Sequence, residues 1–279
     1  MSNFSCPLCG HQCSRLVTRE KEWDVVECMS CAFVFVTPFP QEQFLNLHYQ
    51  DYLPADEIGI DHWRMLMSEI FRKSLDIIEK ESSKQNGALL DIGCGYGFFL
   101  ESARQRGWRV SGIELCEHAR NYAKSRSLKV EAANLFERKY DDTVFDVVTL
   151  FYVLEHLPDP LRYLREINRI LKPGGLLLVR VPHTTPLVKT LKIFGIRNRL
   201  YDVPSHLSDF SPCTIKYALE RTGFDNIHTF PGGYTRPFPI GERILACGSG
   251  LMAEFLYAIS GKHFLLPGVS KTTIARKKL

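Results

Sequence analysis

Two groups of residues in this 279-residue chain have the types and spacing to do chemistry. Four cysteines form the pairs Cys6-x2-Cys9 and Cys28-x2-Cys31 with 18 residues between them, inside the window for a four-thiolate zinc site. Each CxxC turn aims two sulfurs at one ion, and two turns complete a tetrahedron. Cys6, Cys9, Cys28 and Cys31 are therefore expected to hold a zinc ion, with a redox CxxC as the competing reading. With every position filled by protein, such a metal stabilises the fold and leaves no open position for a reaction. Cys13 and His11 are expected to be bystanders.

The second group is Asp91-Ile-Gly93-Cys-Gly95-Tyr-Gly97 together with Glu114. The glycines follow a strand and open a helix, so backbone can approach a ligand closely and helix amides can face it. A nicotinamide site has the spacing G-x-G-x-x-G, whereas the third glycine position here is Phe98. Asp91 would repel a pyrophosphate but suits an amino acid tail and a sulfonium charge. Glu114, at the end of the next strand, is placed to accept both hydroxyls of a ribose. The two acids together point to S-adenosylmethionine.

Positioning these groups requires strands alternating with helices. Leu89–Ile92, Arg109–Ile113, Lys129–Ala132, Phe145–Phe151 and Leu176–Val181 read as strands, and Gly97–Gln105, Glu117–Ser127 and a segment through Leu161, Leu164, Ile167 and Leu171 read as helices. An amphipathic helix is expected over His62–Lys80. Ser211, Pro212 and Gly223 supply the cap, first position and stop of another. Phe224–Phe230 and Thr272–Arg276 form a strand pair around a long insertion. The expected domains are a zinc ribbon over 1–40, a linker and lead-in helix over 41–87, and a catalytic domain over 88–279. The last includes an acceptor-side lid near 183–210 and an insertion near 236–268.

Leu89-Leu-Asp-Ile-Gly-Cys-Gly-Tyr-Gly97, Gly112-Ile-Glu114, Phe145-Asp-Val-Val-Thr-Leu-Phe-Tyr-Val-Leu-Glu-His-Leu-Pro-Asp-Pro160 and Leu171-Lys-Pro-Gly-Gly175 resemble the successive motifs of class I S-adenosylmethionine-dependent methyltransferases. The resemblance covers residues 62–182 and extends to the subgroup that includes ubiquinone-pathway O-methyltransferases. It implies an α/β fold with a Rossmann-like seven-stranded sheet whose last strand is antiparallel. It implies that Asp91, Gly93, Gly95 and Gly97 form the cofactor loop, that Gly93 and Gly95 face the methionyl end and that Glu114 meets the ribose. Leu115 would pack on the adenine and Phe151 line the methionine side. Asn134 and Leu135 stand where the family often has Asp and an apolar residue beside the adenine amine.

For a hydroxyl acceptor, methyl transfer needs positioning and a base. His156 and His183 follow strands at the expected cofactor edge, and His206 lies in Ser205-His-Leu-Ser-Asp-Phe210, which resembles the acceptor-side loop of small-molecule methyltransferases; these three are the candidates. Tyr49, Tyr52 and Tyr152 are expected to be pocket walls. Cys94 and Cys116 have no histidine in motif register, which argues against a thiol nucleophile. Leu187, Leu191 and Phe194 are expected to share one face of a lid helix with charge outward. The insertion 244–260 is expected to be a buried cover helix.

Composition sets the outer limits. With 45% hydrophobic and 24% charged residues the chain is ordinary globular material. Thirty-five Lys+Arg against 31 Asp+Glu leave +4, too little to demand nucleic acid. The charge is local: Arg180–Tyr201 carries five basic residues and no acid, which suits an anionic acceptor or peripheral contact with an anionic membrane. Ile244–Ser260 contains Glu254 and falls short of the about 20 apolar residues of a membrane span. A cytoplasmic protein is expected, since no charged and then apolar leader is seen. The leading expectation is methylation of a small molecule such as a sugar, polysaccharide precursor or secondary metabolite. The alternatives are an RNA guanine methyltransferase, whose ribbons usually end in histidine rather than Cys28-Met-Ser-Cys31, and a non-catalytic cofactor-binding scaffold.

Overall fold

The computed structural model describes residues 5–40, 45, 49, 52–82, 86–237 and 240–279. Parts of the expected 41–87 linker, and residues 238–239 of the insertion, therefore lie outside the described residues. The amino-terminal module contains β1 (Ser14–Glu20), β2 (Trp23–Cys28) and β3 (Val34–Thr37). Helix α1 (Glu57–Glu81) follows. It begins before His62 because Asp56 caps it, accepting a 2.6 Å hydrogen bond from the Gly59 amide.

The alternation then runs β4 (Ala88–Ile92), α2 (Phe98–Gln105), β5 (Arg109–Ile113), α3 (Glu117–Ser125), β6 (Val130–Glu131), β7 (Phe145–Phe151), α4 (Pro160–Ile170) and β8 (Leu171–Val181). Next come α5 (Thr185–Ile193), β9 (Ser208–Asp209), α6 (Pro212–Glu220), β10 (Phe224–Phe230), α7 (Ile240–Ile259) and β11 (Lys271–Lys277). Seven strands pair in the order β10-β11-β8-β7-β4-β5-β6. All neighbours are parallel except β11, which is antiparallel to both β10 and β8. This is the expected seven-stranded sheet with its antiparallel last strand. Lys172-Pro-Gly-Gly175 lies within β8 rather than before it. The pairing slips between Phe145↔Leu171 and Val147↔Leu176, and Gly174, at φ 72°, turns the chain there.

Order reverses between β4 and β7, opening a crevice at the strands' carboxyl ends, the usual place for ligands in such sheets. The ribbon is not a separate unit. β9, from the catalytic domain, extends its sheet to β1-β2-β3-β9, and Cys6, Leu8, Phe33 and Phe35 share one buried cluster with Leu90, Val179 and Phe210. Phe33 and Phe210 pack with ring centres 4.9 Å apart and planes tilted by 55°. No described helix is long and apolar enough to cross a membrane.

Two helices depart from expectation. Helix α5 packs on the ribbon: Val188 joins Val17, Val25, Val34 and Val36, Lys189 pairs with Glu27 at 2.8 Å and Lys192 donates to the Val17 carbonyl. Phe194 is exposed, so it does not share a buried face with Leu187 and Leu191. Helix α7 is not a buried cover either, because only Gly250 and Ala253 are buried along it.

Candidate active site

A cavity of about 350 Å³ fills the crevice, a volume suited to a small organic ligand. One half is built by the glycine loop. Gly93 and Gly95 hold φ values of 70° and 53°, the left-handed region that favours glycine. A Cβ on Gly93 would meet Val153 at 2.5 Å. Gly97 is different: it does not line the cavity, and a Cβ there would strike Leu128 at 2.5 Å. Its expected place at the ligand is corrected to a packing role at the start of α2.

Asp91, one residue before the end of β4, is almost fully buried, and Thr149 donates to its Oδ1 at 2.7 Å. Burial, reinforced by the nearby Glu114, pushes its carboxyl up to about 8. Glu114 Oε2 accepts from the Gly95 amide at 2.7 Å and Oε1 from the Cys116 amide at 2.8 Å. These bonds fix the carboxylate plane while each oxygen keeps lone-pair capacity for a ligand hydroxyl. Leu115, Leu135 and Phe151 also line the cavity. Asn134 Oδ1 accepts from the Phe136 and Glu137 amides at 3.0 and 2.9 Å. Both its lone pairs are thereby used, so this side chain has a donor to offer a ligand and no acceptor for an amine.

The other half is aromatic and imidazole. Tyr49, Tyr52, Trp63, Phe71 and Tyr152 form walls, and His156 and His206 lie among them with ring centres 4.9 Å apart. His156 Nδ1 lies 2.7 Å from the Ser205 carbonyl. A carbonyl only accepts, so Nδ1 carries the proton and Nε2 the lone pair. Burial lowers the His206 pKa, favouring neutral imidazole. The third candidate is set apart: His183 does not line the cavity, and burial and Lys271 push its pKa down to about 4. Nor does any residue from 183 to 205 line it, so the basic segment is a neighbour of the cavity rather than its wall.

Three features escaped sequence reasoning. Glu155 is buried with no hydrogen-bond partner for either carboxylate oxygen among the described residues, and burial pushes it up to about 8. Its oxygens lie within 4.8 Å of ligand-capable nitrogens of His156 and His206. Arg180, buried beneath the site, donates from Nε to the Tyr152 hydroxyl at 2.9 Å and holds that wall. Cys116 does have a histidine beside it, His118, with Nε2 at 3.3 Å from Sγ. That nitrogen also lies 2.7 Å from the Leu53 carbonyl, to which it donates.

In the ribbon, Cys6 and Cys31 sulfurs lie 3.6 Å apart and Cys9 and Cys28 sulfurs 3.5 Å, with all four within 4.8 Å of one another. Tetrahedral zinc with about 2.3 Å bonds to sulfur would set them about 3.8 Å apart. Four thiolates gathered this closely suit a tetrahedral zinc ion.

A methyltransferase-domain family model matches residues 63–229. A ubiquinone biosynthesis O-methyltransferase of Ralstonia nicotianae is 28% identical over 190 residues, 66% of this chain and 77% of that protein. Its namesake in Pseudomonas entomophila is 32% identical over 142 residues, 48% of this chain and 60% of that protein. Among solved structures, a possible histamine N-methyltransferase of Thermotoga maritima superposes with a TM-score of 0.56 at 17% identity, covering 85% of this chain and 100% of that one. Phosphoethanolamine N-methyltransferase 2 of Haemonchus contortus, in complex with S-adenosyl-L-methionine, gives 0.55 at 17%, covering 94% and 71%. At these identities the structural likeness shows the fold.

Proposed function

Since the chain belongs to the methyltransferase-domain family, we propose that this S-adenosylmethionine-dependent methyltransferase methylates a hydroxyl of a small ring compound: a sugar, polysaccharide precursor or secondary metabolite. The observation that carries the acceptor half is His156. Its Nδ1–H is held by the Ser205 carbonyl, which fixes the ring in a wall of the cavity. Tyr49 and Tyr52 lie edge-on to its ring at 5.3 and 6.0 Å and offer surfaces on which an acceptor ring can rest. Asp91 and Glu114 hold the opposite half, suited to an ammonium and a ribose.

His156 takes the acceptor proton, and His206, kept neutral by burial, orients the same hydroxyl by hydrogen bonding. Bound S-adenosylmethionine would supply the electrophilic methyl group that replaces that proton on oxygen, its sulfonium becoming the neutral thioether of S-adenosylhomocysteine. General-base assistance of this kind contributes about 10²–10⁴-fold. Likeness to the ubiquinone O-methyltransferases supports oxygen as the acceptor atom. In the same reading Cys6, Cys9, Cys28 and Cys31 bind one zinc ion that supports the fold.

The test is methyl transfer from labelled S-adenosylmethionine into fractionated metabolites, glycans and RNA. Label is expected in a small-molecule fraction and is expected to fall at least about 100-fold in His156→Gln, with S-adenosylhomocysteine affinity retained. Label in RNA alone, or full activity in His156→Gln, would overturn the proposal.

A further inference from the structure

Helix α7 is amphipathic in the reverse of the usual sense. Its inward side is small and pinned. Gly250 sits against Tyr234, where a Cβ would come within 2.4 Å, Ala253 is fully buried, Glu254 pairs with Lys73 of α1, and the Tyr257 hydroxyl donates to the Thr229 carbonyl at 3.0 Å. These pins fix the helix rotation and turn its apolar stripe outward. Ile244, Leu245, Leu251, Met252, Phe255 and Ile259 are 67%, 74%, 57%, 51%, 59% and 64% exposed. They recur at three-, four- and seven-residue steps, so they share one face.

A second segment has the same character. In Lys192-Ile-Phe-Gly-Ile-Arg-Asn-Arg-Leu200, Ile193 and Phe194 are 82% and 73% exposed, Ile196 52%. Exposed Lys192, Arg197 and Arg199 are interleaved with them. Arg199 also acts electrostatically on the buried Glu20 carboxyl. Both insertions leave the same edge of the sheet: Lys271, where the α7 insertion returns, pairs with Val181 at the end of β8. The Gly268 amide donates to the His183 carbonyl at 3.0 Å, and Gly268 packs against Leu187 of α5. Pro182 and His206, either side of the basic segment, line the cavity.

We propose that the exposed 192–200 segment and the outward stripe of α7 together seat the protein on an anionic lipid surface at the cavity edge. Clustered exposed apolar side chains of this kind mark an interaction site. The charges select its occupant. From 186 to 201 every charge is positive, so a second copy applied across a twofold axis would place like charges together, whereas anionic headgroups would pair with them. On α7 the two acids are Glu242 and Glu254, and the latter is tied to Lys73. Apolar side chains inserted below a ring of basic residues are the pattern of interfacial binding. Vesicle binding needs no acceptor, so this inference stands or falls apart from the methyl-transfer reading.

The experiment is co-sedimentation of the full chain with phosphatidylcholine vesicles made with and without phosphatidylglycerol, across a salt series. Binding is expected only with phosphatidylglycerol and is expected to weaken as salt rises. Arg197→Gln with Arg199→Gln should lower vesicle affinity about 30-fold, at about 1 kcal/mol per basic residue. Phe194→Ser and Phe255→Ser should each weaken it further, and unchanged S-adenosylhomocysteine affinity in every variant shows that folding is intact. The proposal is overturned by no sedimentation with either vesicle, by binding that none of these substitutions weakens, by retention on RNA in place of vesicles, or by a dimer in sedimentation equilibrium that Phe194→Ser dissociates.

Discussion

The Val36 amide, in a ribbon strand, donates a 2.9 Å hydrogen bond to the Leu207 carbonyl, beside His206 of the cavity wall. The Leu207 amide in turn donates to the Glu155 carbonyl at 2.8 Å, next to His156. Two bonds thus link β3, the strand just after the second cysteine pair, and the acceptor half of the site, while the Asp91 and Glu114 half rests on β4 and β5. Loss of the ribbon metal should therefore disturb the two halves unequally.

A chelator, or Cys28→Ser, is expected to lower the unfolding temperature by about 5 °C or more, since a domain of this size shifts roughly 2–4 °C per kcal/mol. Hydrogen exchange at residues 205–210 should accelerate, while S-adenosylhomocysteine affinity changes by less than about threefold. Metal analysis should find one zinc per chain. Equal losses of exchange protection around Asp91 and around His206 would show that the ribbon merely supports the whole fold.

Asp91 makes cofactor binding sensitive to pH. Burial, with Glu114 adding to it, raises its carboxyl to about 8, so near neutrality the free protein holds the proton. A ligand ammonium favours the carboxylate, and binding should release a proton below pH 8. Affinity for S-adenosylhomocysteine should accordingly rise as pH increases toward about 8. Calorimetry in two buffers of unlike ionisation heat measures the released proton. Asp91→Asn should abolish the release and weaken binding by about 10- to 100-fold, the scale of a charged hydrogen bond; a pH-independent affinity without proton release would refute this account.

Glu155 should leave a signature on stability. Its folded-state pKa of about 8, raised by burial, exceeds the about 4.3 of an unfolded glutamate. Between these values the unfolded chain has lost a proton that the folded chain keeps, so this group's contribution to stability falls as pH rises from about 4.3 to about 8. The groups with which it interacts are Lys271, Asp209, His156 and His206. Glu155→Gln should flatten that slope and gain about 1–3 kcal/mol at pH 8, the cost of an uncompensated buried group. Denaturant titrations at pH 6 and pH 8 measure both.

What was legible in the sequence was local. The glycine loop, the alternating strands and helices and the Ser211 cap, which accepts from the Thr214 amide at 3.1 Å, each carry their signal within a few residues. What was illegible depends on distant partners. Strand β9 is two residues long and has no periodicity; its pairing with Val34 and Phe35 is visible only in the folded chain. The stripe on α7 shows in its spacing, but the pins that turn it outward, Lys73 and Tyr234, lie far away in sequence. His183 and His206 stand alike in sequence as candidate bases on the acceptor side, and only packing separates them.

The loop glycines can be told apart by experiment. Gly97 is at φ 77° with Leu128 where a Cβ would go, and it lies off the cavity. Gly95, at φ 53°, lines the cavity, and a Cβ there would reach only ordinary contact with Leu53 at 3.4 Å. Both substitutions to alanine incur backbone strain of about 1–2 kcal/mol, and only Gly97→Ala adds a clash in the core. Gly97→Ala should therefore be the less stable in thermal unfolding, yet bind S-adenosylhomocysteine nearly as wild type once folded. Gly95→Ala should unfold closer to wild type and lose at least about tenfold in affinity, because its methyl group occupies ligand space and crowds the amide that holds Glu114. A reversed order in calorimetry and unfolding would place the ligand on the other side of the loop.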